Sequence, residues 1–184
     1  MFATADYQQK MGGGAFILVP LANEKKDENG ELSDSWDERY FPYLKSIIDK
    51  TASDNPISDV IIAGGSSGGY MTWGMVLSYP KLFDGCIPVS SNFMPSINQL
   101  KTLEDNGINV LYACGKHDEF GCYKKEYSEI YDYILTMKSG ICYTPEWVRN
   151  GDHGVASLFF GIEMGQHCMI TQVQANLMFD DGTP

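Results

Sequence analysis

Four glycines wrap two serines in Gly64-Gly65-Ser66-Ser67-Gly68-Gly69, directly after an apolar run and directly before a helical pattern. Glycine is favoured where a backbone must take positive φ or pass close to another group, and a catalytic turn makes both demands. The frame Gly65-Ser66-Ser67-Gly68-Gly69 fits G-x-S-x-G in the strand-to-helix context that a nucleophile elbow requires. Ser67 is therefore expected to be a nucleophile held in a strained turn. The backbone N–H of Gly68 would donate to a tetrahedral oxyanion, and the helix N-terminus would add a favourable dipole. Ser66 is its neighbour and, with Tyr70, is expected on the substrate side of the turn. A phosphate-cradling loop fits less well: counted from Gly64, Ser66 stands where G-x-G-x-x-G needs glycine, and no G-K-[ST] follows.

A serine hydroxyl becomes a useful nucleophile when a base takes its proton and an acid orients that base. The chain has three histidines. His117 follows an apolar run, His153 lies in Asn150-Gly-Asp-His-Gly154, and His167 falls in a helical pattern where it is expected to pack or face solvent. The chain order serine, acid, histidine, together with the glycines that would let its loop move over Ser67, selects His153 as the base. Asp118 ends Ala113-Cys-Gly-Lys-His-Asp118, just past a strand-like run, and is expected to be the orienting acid. Glu119 and Asp152 are rivals, but Asp152 adjoins His153 and would struggle to reach its Nδ1.

Such residues must be carried to one edge of a scaffold, and the hydrophobic pattern supplies it. Apolar runs at 15–20, 59–63, 86–90, 109–114 and 142–148 read as strands. Between them, helical spacing runs over 36–50, 70–79, 97–106 and 124–138, and again over 155–178, where Gly161 and Gly165 weaken it. Alternation of this kind predicts an α/β fold, a three-layer α/β/α sandwich on a mostly parallel sheet, with reactive groups at the carboxyl ends of its strands. The 184 residues suit a single domain spanning 1–184.

The formal charge of −11 argues against nucleic acid or an anionic membrane as partner, and no apolar run approaches the ~20 residues of a membrane span. The five cysteines, Cys86, Cys114, Cys122, Cys142 and Cys168, form no CxxC pair and read as small buried hydrophobes, so no metal is expected. The first ten residues lack a basic stretch followed by an apolar core, so they do not read as a secretory signal, and the compartment stays open.

Taken together, "GGSSGGYMTW", "YPKLF", "IPVSS", "CGKHDE" and "GDHG" resemble the α/β-hydrolase superfamily. Within it they resemble esterases related to feruloyl and acetylxylan esterases and polyhydroxybutyrate depolymerases. The Gly-Gly-Tyr-Met sequence after the serines is also similar to the catalytic domain of prolyl oligopeptidase-type peptidases. The likeness runs from about Ala15 to Gly154 and implies a triad of Ser67, Asp118 and His153, no cofactor, and a small ester or acylated polysaccharide as substrate. Family members usually carry two or three strands before this chain's first, and a His-Gly-Gly-type loop that supplies a second oxyanion N–H. Gly12-Gly-Gly14 precedes its strand-like run and has no histidine before it, so the chain is expected to be a member shortened at its N-terminus, with an open sheet edge that invites a homo-oligomer.

A serine carboxylesterase working through an acyl-enzyme is the leading expectation. A prolyl oligopeptidase-type peptidase and a non-catalytic fragment or binding module with an incomplete oxyanion site are the alternatives. Tyr70, Trp73 and Tyr123 are candidate pocket aromatics, with packing the expected use of Trp73.

Overall fold

The computed structural model describes residues 4–10, 12, 14–22, 28–29, 36–147, 166–167, 169–170 and 173. Contacts divide the chain into two compact units, residues 1–35 and 36–184.

In the first unit, helix α1 (Ala5–Lys10) is the one regular element among the described residues. The apolar run 15–20 forms no strand, contrary to the sequence expectation. A strand exists only where a second backbone completes its ladder, and here a side chain takes that place. The Gln8 amide accepts from the Ala15 N–H at 2.6 Å and donates to its carbonyl at 3.2 Å.

The second unit is built on four parallel strands, β1 (Ile61–Gly65), β2 (Gly85–Val89), β3 (Asn109–Ala113) and β4 (Gly140–Tyr143), in the order β1-β2-β3-β4. Ile61 pairs with Gly85 and Gly65 with Val89, so β1 and β2 end level. The β2–β3 register resumes with Val89 opposite Ala113, after the interruption next to Pro88, which has no N–H to give.

Helices α2 (Phe41–Asp54), α3 (Ser67–Ser78), α4 (Ile97–Asp105) and α5 (Ser128–Thr136) join or flank the strands. Pro42 sits in the first turn of α2, where its missing N–H costs nothing. Ser96 and Gln99 close a capping box on α4, and Gly107 leaves that helix at φ +76°.

Because the strand order advances one way across the sheet, right-handed crossovers must place the connecting helices on a single face. That face holds the main core. Trp73, Met75 and Val76 of α3, Leu100 and Leu103 of α4, and Ile134 of α5 close over Cys86, Val110 and Tyr112. Side chains alternate along each strand, so Ile87, Val89, Leu111, Ala113 and Tyr143 turn to the opposite face. There Met169, Ile170 and Val173 cover them. The result is an α/β fold on a parallel sheet, with the helices on one face and Met169, Ile170 and Val173 on the other.

Trp73 is fully buried and stacks on Tyr112, with ring centroids 6.4 Å apart, so it packs the core. Cys86, Cys114 and Cys122 are buried and Cys142 is half-buried; loss of hydration pushes each thiol up to about 12. Among the described residues no helix is long and apolar enough to cross a membrane.

Candidate active site

Strand β1 runs straight into α3 through a single strained residue, and that residue is Ser66. Its φ of 57° and ψ of −121° lie where a side chain is rarely tolerated. Ser67 is already the first residue of the helix. The apex expected at Ser67 therefore stands one position earlier, and the frame that fits the backbone is Gly64-Gly65-Ser66-Ser67-Gly68.

The neighbouring contacts fix the turn. The Ser66 N–H donates to the Val89 carbonyl at 3.0 Å, while the Ser66 carbonyl accepts from Gly69 and Tyr70 at 2.9 and 3.1 Å. The turn is so tight that a Cβ on Gly64 would stand 2.3 Å from the Gly68 carbonyl oxygen, and one on Gly69 would stand 2.7 Å from the Val89 oxygen. Ser66 and Ser67 are both exposed. Gly68, expected as the oxyanion donor, is the second helical residue, and its carbonyl accepts from the Thr72 hydroxyl at 2.8 Å.

At the carboxyl end of β3, Asp118 is buried and holds a histidine, which is His167. The Asp118 Oδ2 atom lies 2.7 Å from His167 Nδ1, and the two side chains are 0% and 5% exposed. The other carboxylate oxygen accepts the N–H groups of Phe120 at 2.9 Å and Cys122 at 3.2 Å. Burial alone would push the Asp118 carboxyl up. The bond and charge of His167 and the two backbone donors outweigh it, and the group stays below its ordinary value. With Nδ1 turned to the carboxylate, Nε2 is the nitrogen that the imidazole has left.

His167 was expected to pack in a helix or face solvent; it is buried, in a turn, and its ring bonds the Asp118 carboxylate. His153 lies outside the described residues. Glu119, weighed as a rival acid, has a different part. Its two oxygens accept the backbone N–H groups of Gln166 at 3.0 Å and His167 at 2.8 Å. Consecutive carboxylates thus hold one loop, Asp118 by the ring and Glu119 by the backbone. Three residues beyond His167, Ile170 packs on the elbow itself: a Cβ on Gly65 would stand 2.8 Å from the Ile170 Cβ. The segment bearing the imidazole therefore passes beside the residue before Ser66.

Among the remaining candidates, the Tyr70 hydroxyl donates to Glu38 at 3.3 Å and its ring meets Phe93 edge-on at 6.0 Å. Partial burial and the nearby Glu38 carboxylate raise the phenol above its ordinary value. Tyr123 stacks on Tyr131, and the Phe120 ring lies 4.6 Å from that of His167. Ser90, just past β2, takes φ 46° and is fully buried.

Asp118, Cys122 and His167 bring ligand atoms within 4.8 Å of one another, near enough to share a cation. Within this set Asp118 Oδ2 and His167 Nδ1 are bonded to each other, the other Asp118 oxygen accepts the Phe120 and Cys122 N–H groups, and burial pushes the Cys122 thiol up to about 12.

No protein-family model matches the sequence, and no curated protein matches it either. Among solved structures, a thermostable esterase aligns with a TM-score of 0.50 at 20% identity, covering 73% of this chain and 34% of that one. FphF, a fluorophosphonate-binding serine hydrolase of Staphylococcus aureus with substrate bound, aligns with a TM-score of 0.43 at 20% identity, covering 71% and 63%. The chain thus spans about a third of the esterase and less than two thirds of FphF. What the chain shares with the esterase is its architecture, the parallel sheet and helices of an α/β-hydrolase fold.

Proposed function

We propose that this chain is a serine hydrolase acting on carboxylic esters, with Ser66 as nucleophile, His167 as general base and Asp118 as the carboxylate that orients it. The observation that carries this reading is the fully buried 2.7 Å bond between Asp118 and His167 at the sheet edge where exposed Ser66 is held at φ 57°. A hydroxyl strained into the open, at the same sheet edge as an imidazole bonded to a buried carboxylate, is the arrangement from which acyl transfer can be built.

In this reading Ser66 Oγ attacks the ester carbonyl and His167 Nε2 takes its proton. The N–H of Ser67, the residue after the nucleophile, donates to the oxyanion at the start of α3. The imidazolium then protonates the leaving alcohol. Water attacks the acyl-enzyme with the same imidazole as base, and the acid departs. Asp118 stays ionised throughout, consistent with its lowered carboxyl. The sequence resemblance favours feruloyl- or acetylxylan-type esters as the finer substrate class.

Kinetics on p-nitrophenyl acetate and methyl ferulate test the assignment with four single variants. Ser66→Ala and His167→Ala should each lower kcat by at least about a thousandfold. Ser67→Ala and His153→Ala should retain most of the rate. Loss of turnover on Ser67→Ala and His153→Ala, with Ser66→Ala active, would overturn it.

A further inference from the structure

A second feature sits on the loop that carries Asp118. Lys116 and His117 immediately precede the acid, and Tyr123 follows Cys122, whose N–H the acid accepts. With Lys125 and Glu146 these residues line a cleft of about 470 Å³. The loops after β3 and β4 form its walls, tied together by the Lys116 N–H donating to the Pro145 carbonyl at 2.9 Å.

The charge of this cleft is opposite to that of the chain. In a protein with 24 acidic and 13 basic residues, two lysines and a histidine meet here over one carboxylate. Glu146 is already shared, by Lys116 at 3.1 Å and His117 at 3.0 Å. Hydrogen bonds from Lys116 and then His117 hold its carboxyl below the ordinary value, so it is fully ionised and fully engaged. Lys125 has no acidic partner among the described residues. An aromatic wall adjoins it: His117 stacks on Trp147 at 3.9 Å, and Trp147 remains 54% exposed.

We propose that this cleft is a recognition site for a carboxylate on the substrate, with Lys125 as the principal counter-ion, Lys116 as its neighbour and the Tyr123 ring as the apolar floor. The proposal rests on the ester-hydrolase reading above and names its substrate class: esters whose acyl or alcohol part carries a free carboxylate. The chain's overall negative charge repels such a molecule, so a local surplus of cations is what would admit it. One end of the substrate would be anchored beside the acid loop while the ester lies toward Ser66.

The test pairs rate with binding. Turnover of p-nitrophenyl hydrogen adipate is compared with that of p-nitrophenyl hexanoate, which has the same chain length and no carboxylate. The ratio of their kcat/KM values should fall about fivefold in Lys125→Gln, as expected for one exposed charge pair, and should fall likewise with added salt. Separately, adipate is titrated into Ser66→Ala and followed by amide NMR. It should shift Lys116, Tyr123 and Lys125 and lose that effect in the Lys116→Gln/Lys125→Gln background. A rate ratio indifferent to Lys125→Gln, or adipate that leaves the cleft amides unmoved, overturns the site. Adipate that shifts these amides while neither ester is hydrolysed leaves the anion site standing and removes the esterase reading instead.

Discussion

Gly64 and Gly68 flank Ser66 symmetrically in sequence, yet the structure gives them opposite tolerances. An alanine Cβ at position 64 would stand 2.3 Å from the Gly68 oxygen and 2.9 Å from the Gly68 Cα; at position 68 it would meet nothing within 4 Å. The clash at 64 is with backbone, so relief requires α3 to move by about 1 Å, and overpacking of this kind costs about 1–3 kcal/mol. Gly68→Ala instead fills open space inside a helix and should stabilise by about 0.4–1 kcal/mol through the unfolded chain. Two substitutions of identical chemistry should therefore differ by about 1.5–4 kcal/mol, or about 3–16 °C in Tm for a chain of this size. Urea and thermal unfolding followed by fluorescence of buried Trp73 measure the difference. A shift of 1 Å in the turn also misplaces the Ser66 hydroxyl, so Gly64→Ala should lose about 100-fold in kcat/KM. Equal stabilities, or a more damaging Gly68→Ala, would refute the elbow geometry.

Asp118→Asn should lower kcat by about 10³- to 10⁴-fold. Its amide oxygen would keep the backbone donors of Phe120 and Cys122, leaving the NH₂ group toward Nδ1 and fixing the tautomer that cannot accept the serine proton. The same variant has a pH signature. Because the folded-state carboxyl is lowered, its stabilising contribution is present above the ordinary carboxylate value and is lost as pH falls through the folded one. The stability gap between wild type and Asp118→Asn should thus be constant near neutrality and close below about pH 4, measured by urea unfolding across pH. Glu119→Gln keeps one acceptor for the two N–H groups of Gln166 and His167 and should lower kcat about tenfold with little change in KM; unchanged kcat would remove the clamp from the account.

Much of the scaffold was legible in the sequence because apolar runs bounded by Gly, Pro and Asn leave few choices. β3 emerges one residue from its expected end, and α4 ends at Asp105, ahead of the Asn106-Gly107 pair that reads as its stop. β1 continues to Gly65, beyond the expected Ala63, because ladder pairing with Pro88 and Val89 carries the glycines along. The run 15–20 misleads for the converse reason: hydrophobicity marks what can be buried, and says nothing of whether a neighbouring backbone is there to pair.

The sequence marks the serine turn, and the structure puts the strained residue of that turn at Ser66. Four glycines around two serines satisfy G-x-S-x-G twice, from Gly64 and from Gly65, and residue types cannot choose between the frames. The backbone dihedral at Ser66 does. Asp118 stands out in the sequence because it lies just past a strand-like run, where this architecture places its reactive groups. Both His153 and His167 follow it, so chain order alone does not separate them, and the tertiary bond to Asp118 that the structure shows is made by His167. His167 itself lies in a turn rather than in the helix that the apolar pattern over 155–178 predicts. Glu119 gave no signal at all, since what it grips is backbone, and backbone carries no sequence.

Labelling the folded chain with a fluorophosphonate and locating the adduct by fragment-ion mass spectrometry tests the proton relay most directly. The account predicts modification on Ser66 that disappears in His167→Ala and persists in His153→Ala. An adduct on Ser67, or labelling that survives the loss of His167, would contradict it.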